Sequence, residues 1–370
     1  MKILVTGGAG FIGSHLVDAL IRRGERVTVY DAFDPQVHGK KKPEYLNPEA
    51  EILQGDVRNR ASLKKVLKRS EVVFHEAAAV GVGQSMYQVQ QYIDVNTHGT
   101  AILLDLLVNE RTKVRKLIVA SSMSIYGEGR YECQRCGPTD PPLREEKHLK
   151  KRQWELLCPN CHGRLSPRTT PEEKPLHATS IYAFSKRHQE EMSLLIGQAY
   201  QLPTVVLRYF NTYGTRQSLS NPYTGVCAIF SSRIKNRKPP LLYEDGLQSR
   251  DFVHVSDIVQ ANLLVLDKKE ADGQVFNVGT GKPTTIFEMA KALSALYGEK
   301  LEPRIVGKYR NGDIRHCIAD ISRLKQIGFS PKMSLERGLQ DLVSWGKRVR
   351  AIDRSEKADR ELLAKGLREA

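Results

Sequence analysis

The chain opens Lys2-Ile3-Leu4-Val5-Thr6-Gly7-Gly8-Ala9-Gly10-Phe11-Ile12-Gly13, and the order of residue types in that stretch decides the fold. The apolar run Lys2 to Val5 predicts a short strand. Helical spacing through Ile12, Leu16, Leu20 and Ile21 predicts a helix over Phe11 to Arg23, and Arg26 to Tyr30 reads as a second strand. This is a β-α-β unit with glycines at its first turn. Gly7, Gly10 and Gly13 permit the tight turn, close approach of backbone to a pyrophosphate, and close packing of helix on strand. Alone, a glycine pattern can be an ordinary turn; its place between strand and helix is the context dinucleotide binding requires. Asp31 ends the second strand, where a carboxylate accepts from ribose hydroxyls and repels a 2′-phosphate, which favours NAD over NADP. Asp56, in Gly55-Asp56-Val57, is placed to meet an adenine or to cap a helix.

Working outward, Glu51 to Leu53, Val72 to His75, Lys116 to Ser121, Thr204 to Tyr209 and Val275 to Val278 are further strand candidates, most separated by helically patterned segments. Such alternation predicts an α/β fold, a Rossmann-type doubly wound parallel sheet with ligands at the carboxyl ends of its strands. The dinucleotide-binding domain is expected over 1–210, with 250–280 returning to it. The looser segments 211–249 and 281–346 form a smaller C-terminal substrate domain. The tail 347–370 reads as a highly charged helix exposed to solvent.

With 370 residues the chain is long enough for a well-filled core. Hydrophobic residues at 40% and charged residues at 27%, with no long apolar run, exclude a helical membrane span. The N-terminus runs directly into the glycine turn, leaving no room for a leader, so a cytoplasmic protein is expected. A net charge of +15 favours anionic partners. Because the basic residues are interspersed with acids and not gathered with aromatics, nucleic acid is the less favoured partner and a sugar diphosphate the better one.

Tyr182-Ala183-Phe184-Ser185-Lys186 puts a phenol and an ammonium one helical turn apart. A nearby cation stabilises phenolate, which suits a proton acceptor; a packed tyrosine beside a surface lysine is the ordinary alternative. Val119 to Gly127 is a strand that breaks into small hydroxyl residues, Ser121-Ser122-Met123-Ser124, where a substrate hydroxyl can be held.

Together with His75-Glu76-Ala77-Ala78, Asn96 to Thr100, Arg208-Tyr209-Phe210-Asn211, Arg250 to Val255 and Phe276 to Gly279, these motifs resemble the extended short-chain dehydrogenase/reductase family, in its nucleotide-sugar epimerase and dehydratase branch. The resemblance implies catalysis by Ser122, Tyr182 and Lys186. It implies NAD held by Gly7, Gly10, Phe11, Ile12, Gly13, Asp31, Asp56, Val57, Ala77, Ala78, Asn96, Tyr182 and Lys186. It places the nucleotide sugar against Ser122, Arg208, Asn211, Arg250 and Arg315, since an arginine fork pairs with phosphate oxygens. A homodimer is also implied, with no membrane association. Dehydratases of the branch carry Asp-Glu after the catalytic hydroxyl; Met123-Ser124 here points to 4-epimerisation by transient C4 oxidation. Ser218 to Gly225 looks most like a zinc-ribbon-bearing group assigned as dTDP-L-rhamnose 4-epimerases. UDP-glucose, UDP-N-acetylglucosamine or UDP-glucuronate 4-epimerisation, a dehydratase, and a non-catalytic nucleic-acid-binding zinc-ribbon protein remain as alternatives.

Between Gly127 and Tyr182 the chain is longer than the family needs. The insertion, 128–175, contains Cys133-x-x-Cys136 and Cys158-x-x-Cys161, two knuckles at the spacing of a four-thiolate structural zinc site. Such a closed shell leaves no position for substrate, so the zinc is expected to hold a loop and do no chemistry. His162 is an adjoining substitute ligand, and reduced free thiols or a redox pair are the other readings.

Overall fold

A computed structural model describes residues 1–39 and 42–369; Ala370, the last residue of the charged tail, lies outside them. The first sheet has seven parallel strands: β1 (Lys2–Thr6), β2 (Arg26–Asp31), β3 (Glu51–Gln54), β4 (Val72–His75), β5 (Lys116–Ser122), β6 (Thr204–Tyr209) and β7 (Val275–Val278). Their order is β7-β6-β5-β4-β1-β2-β3, with the reversal at β1/β4 that opens a crevice at the carboxyl ends of the strands. β1 is buried from Ile3 to Thr6 and β6 along its whole length, because helices cover both faces. Helices α1 (Phe11–Arg22) and α6 (Val255–Asp267) pack together over one face. α2 (Arg60–Leu67), α3 (Gly99–Asn109) and α4 (Ile181–Ala199) cover the other. The strands read from the sequence are the strands of this sheet, so the α/β Rossmann-type architecture is as expected.

A second sheet carries the strands Asn211–Tyr213, Ser249–His254, His316–Ala319, Leu165–Thr170, Arg130–Cys133 and Gly137–Thr139 in that order, with Pro283–Thr285 paired antiparallel to Ser249–His254 as a seventh. One expectation changes here. Ser249–His254 belongs to this second sheet, so the chain returns to the first only with α6 and β7. The insertion joins this sheet: its strand Leu165–Thr170 pairs in parallel with His316–Ala319 through Ile318 to Thr169 and Ala319 to Thr170. A small apolar nucleus of Tyr131, Leu156 and Leu165 forms beside the cysteines. Helices α5 (Val226–Lys235), α7 (Ile286–Tyr297) and α8 (Leu335–Arg348) enclose a third core around Tyr213, Phe230, Leu242, Leu293 and Leu342.

The charged tail also departs from expectation. Its helix α9 (Ser355–Ala364) buries Ala358 and Leu362 against the body of the protein. Charge density along the sequence concealed an apolar pair at i and i+4, the minimum needed for one face to dock. Among the described residues no helix is long and apolar enough to cross a membrane.

Candidate active site

The glycine turn is built by contact as well as by conformation. Gly7 has φ +69°, and a Cβ there would stand 2.7 Å from the Ala77 nitrogen; at Gly13 it would stand 2.3 Å from the Gly7 carbonyl oxygen. Neither position admits a side chain. Asp31 faces this turn, its carboxylate accepting from the backbone N–H of Ala9 at 3.0 Å and of Phe33 at 2.8 Å. Asp56 accepts from both the backbone and the guanidinium of Arg58, which holds its carboxyl below the usual range. Val57 is buried against Gly99. Asn96 is spent internally: its amide bonds both the N–H and the C=O of Ala79 and donates to Ser185 Oγ at 2.9 Å. It braces the loop that carries Ala77 and Ala78 against α4 and has no amide group left over for a cofactor.

The reacting end lies where β5 and α4 meet. Ser180 caps α4 by accepting from the Ala183 N–H at 3.1 Å, and the Tyr182 N–H donates to Ser85 Oγ at 3.0 Å. Tyr182 therefore starts a helix whose entry is fixed from two sides. Ser122 ends β5, its hydroxyl accepting from Ser124 Oγ at 2.9 Å. Burial pushes the Tyr182 phenol up, and its hydrogen bond with Ser122 partly offsets this. Lys186 is buried, which brings its ammonium down to about 8, with Glu76 and Glu190 opposing that shift. The expected lowering of Tyr182 by Lys186 does not appear: burial raises the phenol, and the group that opposes this is Ser122.

The rear of α4 meets the sheet through polar and small residues, Ala183, Lys186, Glu190, Ser193 and Gly197, at alternating three- and four-residue spacing. Glu190 accepts from Ser121 Oγ at 2.7 Å and forms a forked ion pair with Arg208, Nη2 to Oε1 at 2.5 Å. Arg208 also donates to Tyr126 Oη at 2.7 Å and to the Glu172 carbonyl at 2.8 Å. Gln189 donates to Thr100 Oγ1, which lies 2.9 Å from His75. This network fastens the helix that carries Tyr182 and Lys186 to β5 and β6.

The arginines expected at a diphosphate therefore separate into two groups. Arg208 is buried and committed to Glu190. Arg315 is fully buried and divided among Glu155, Glu244 and Asp245 at 2.5 to 3.0 Å. Both depart from the expectation: the Arg315 guanidinium makes five contacts to carboxylates, and Arg208 is spent on Glu190, the Tyr126 phenol and the Glu172 carbonyl. Arg250 fits it better: its guanidinium is oriented by the carbonyls of Ser249, Ile314 and Arg315 at 2.7 to 2.9 Å, and no carboxylate of the described residues pairs with it within 4.0 Å. Asn211 is half-buried, and its Oδ1 has no hydrogen-bond partner among the described residues.

Two groups escaped the sequence reading. Glu76, directly after β4, is enclosed near Lys186 and accepts from Tyr209 Oη at 2.8 Å; desolvation raises its carboxyl to about 7. Its only sequence signal was an acid following the strand that meets the glycine turn. Arg310 stacks on the Tyr243 ring at 4.1 Å in the glycine-containing turn Arg310-Asn311-Gly312-Asp313, and likewise pairs with no carboxylate among the described residues within 4.0 Å.

In the insertion, the sulfur atoms of Cys133, Cys136, Cys158 and Cys161 all lie within 4.8 Å of one another, with Cys133 and Cys161 3.4 Å apart. Four thiolates about 2.3 Å from a tetrahedral zinc ion stand about 3.8 Å from each other, so the cluster fits such an ion. Backbone N–H groups of Arg135 and Cys136 bring the Cys133 thiol down to about 7. His162 is not in the group. From the same insertion Arg144 forks onto Glu244, both contacts 2.8 Å, and donates to the Asp313 carbonyl at 2.9 Å. With the Glu155 to Arg315 pair, this braces the segment whose carbonyls orient Arg250.

A glycine turn, an acid at the end of β2 and a Ser-Tyr-Lys set at the carboxyl end of one doubly wound sheet define a dinucleotide-dependent sugar-modifying fold. The chain belongs to the NAD dependent epimerase/dehydratase family, which it matches over residues 3–279. It is 35% identical to a dTDP-L-rhamnose 4-epimerase of Burkholderia thailandensis, over 93% of this chain and 94% of that protein. Among solved structures it is similar to the UDP-glucose 4-epimerase of Thermotoga maritima with UDP-glucose, with TM-score 0.77, 32% identity, and coverage of 94% of this chain and 99% of that one. It is also similar to the Thermus thermophilus UDP-glucose 4-epimerase complex with NAD, with TM-score 0.75, 30% identity, and coverage of 95% and 100%.

Proposed function

We propose that the protein is an NAD-dependent nucleotide-sugar 4-epimerase and that dTDP-L-rhamnose is its first candidate substrate. What supports this reading is the hydrogen bond between Tyr182 and Ser122, with Lys186 one turn further along the same helix and Met123 and Ser124 in the two positions where a dehydratase of the family has acids. Ser124 is engaged with Ser122, and Met123 is buried. The similarity to a dTDP-L-rhamnose 4-epimerase supports the sugar, while UDP-glucose, UDP-N-acetylglucosamine and UDP-glucuronate are the alternatives to test.

Tyr182 takes the proton of the C4 hydroxyl, Ser122 holds the same oxygen, and Lys186 binds the ribose next to the reacting ring. NAD, when bound, would supply the hydride acceptor and donor for C4, and Lys186, one helical turn from Tyr182, would favour the phenolate. The ketone turns over between the two transfers, so the configuration at C4 inverts and no net oxidation results. Gly7, Gly10, Phe11, Ile12 and Gly13 hold the pyrophosphate, Asp31 the adenosine ribose, and Asp56, Val57, Ala77 and Ala78 line the remainder; Arg250, with Asn211 and the newly seen Arg310, faces the nucleotide diphosphate.

The four-cysteine cluster supports a structural zinc ion. The exposed side chains Leu195 and Tyr200 near the end of α4 support a homodimer formed along that helix. Free thiols suit a reducing, cytoplasmic setting. The test is NMR of product formation across dTDP- and UDP-sugars. A C4 epimer without net NADH is expected; inert sugars together with tight, salt-sensitive RNA binding would favour the non-catalytic reading. Tyr182→Phe should abolish turnover with NAD still bound, and normal activity in that variant removes Tyr182 from its role.

A further inference from the structure

Helix α9 has no part in the chemistry above, yet its acids are engaged by tyrosines from both domains. Glu361 accepts from Tyr87 Oη at 3.0 Å and from Tyr223 Oη, and the two phenols lie 2.7 Å apart. Tyr87 follows the short helix Val82–Ser85, whose Ser85 receives the Tyr182 N–H. Tyr223 comes from the loop before α5 and closes on Gly81, where an added Cβ would stand 3.0 Å from Tyr223 Cβ and 2.7 Å from Tyr92 Oη. The Tyr92 ring in turn meets Tyr182 edge-on, centroids 6.4 Å apart. Gly83 is covered by Leu362 of α9 at 3.1 Å from the position of a Cβ.

The other end of the segment reaches the opposite side of the site. Asp359 accepts from Tyr243 Oη and from Arg368 Nη2 at 2.6 Å, and Tyr243 is the ring under Arg310. Arg368 forms a backbone bridge with Arg310, and Glu369 pairs with Arg152 of the insertion at 2.7 Å. One stretch of chain thus spans the loop behind the catalytic tyrosine, the Tyr223 loop, the Arg310 turn and the cysteine-bearing insertion.

We infer that residues 351–369 form the outer wall of the nucleotide-sugar site, and that Glu361 is a positioning residue that fixes Tyr87 and Tyr223 around the sugar. The inference deepens the epimerase reading and rests on it for its kinetic arm. A carboxylate shared by two phenols adds a charge-assisted junction to the direct Tyr87–Tyr223 hydrogen bond and fixes the geometry of both loops. Lys357 lies 3.9 Å from Glu361 but is exposed and contributes little. Without the carboxylate both loops must be ordered by the substrate itself, which weakens binding and leaves the reacting groups in place.

Glu361→Ala should raise KM about tenfold, the equivalent of about 1.4 kcal/mol. kcat should stay within about twofold, and bound NAD and Tm should stay near the unsubstituted values. Glu361→Gln keeps an acceptor oxygen and should recover part of the loss, and Tyr223→Phe combined with Glu361→Ala should be less than additive. A second arm needs no turnover: in the NAD-loaded protein, UDP or dTDP should slow tryptic cleavage at Arg354, Lys357 and Arg360. An unchanged KM in Glu361→Ala, or loss of kcat and NAD with KM constant, overturns the wall. Absence of protection by either nucleotide also overturns it. If the unsubstituted protein epimerises no sugar while the nucleotides still protect the segment, the epimerase reading fails and the wall stands.

Discussion

Arg208→Met is the sharpest test of how α4, the helix of Tyr182 and Lys186, is held. In the structure Arg208 is 5% exposed and Glu190 2% exposed, and the guanidinium supplies three contacts to that carboxylate within 3.2 Å. Removing the cation leaves the carboxylate buried with Ser121 as its remaining hydrogen-bond donor, a change that costs about 3 to 5 kcal/mol for a broken buried pair. Unfolding entropy of about 2.1 cal/mol/K per residue makes each kcal/mol worth about 1.3 °C in a chain of this length, so Tm should fall by about 4 to 6 °C. Glu190→Gln should also destabilise, and the double variant should recover part of the loss because no unpaired charge remains. Thermal unfolding followed by circular dichroism reads Tm, and steady-state kinetics on the NMR-identified substrate reads KM. A diphosphate-binding Arg208 gives the opposite pattern. A Tm within about 1 °C of the unsubstituted protein, together with a tenfold or greater rise in KM, would refute the clamp.

Glu76 gives a pH prediction. Its folded carboxyl sits at about 7, above the usual value of 4.5, so the folded state binds more protons than the unfolded state between those values. Its contribution is complete below about pH 4.5 and lost as pH rises toward 7. Glu76→Gln should therefore flatten the fall in stability over that window, as read by urea unfolding at a series of pH values; an unaltered slope removes Glu76 as its source. For the insertion, Cys158→Ser should lose zinc by elemental analysis and raise KM several-fold through the Arg144 to Asp313 and Glu155 to Arg315 braces, with NAD content retained. Unchanged KM in the metal-free variant means that the brace does not reach the substrate site.

The sequence by itself determined everything set by neighbours along the chain. Apolar runs separated by helically spaced segments carried the strands of the parallel sheet, and Gly7 to Gly13 carried the turn because left-handed φ at Gly7 and the closeness of its carbonyl to Gly13 admit no Cβ. Tyr182 and Lys186 share a helix, and the paired cysteine knuckles carry their own spacing. Only tertiary structure decided which charge meets which. Arginine motifs look alike whether the fork faces a phosphate or a carboxylate; Arg315 finds Glu244 and Arg208 finds Glu190 because the fold buries each pair together, where an unpaired charge is costly. The charged tail became a docked wall for the same reason. Two apolar side chains, Ala358 and Leu362, seat it, and Glu361 meets Tyr223 across 138 residues of sequence that no local pattern could bridge.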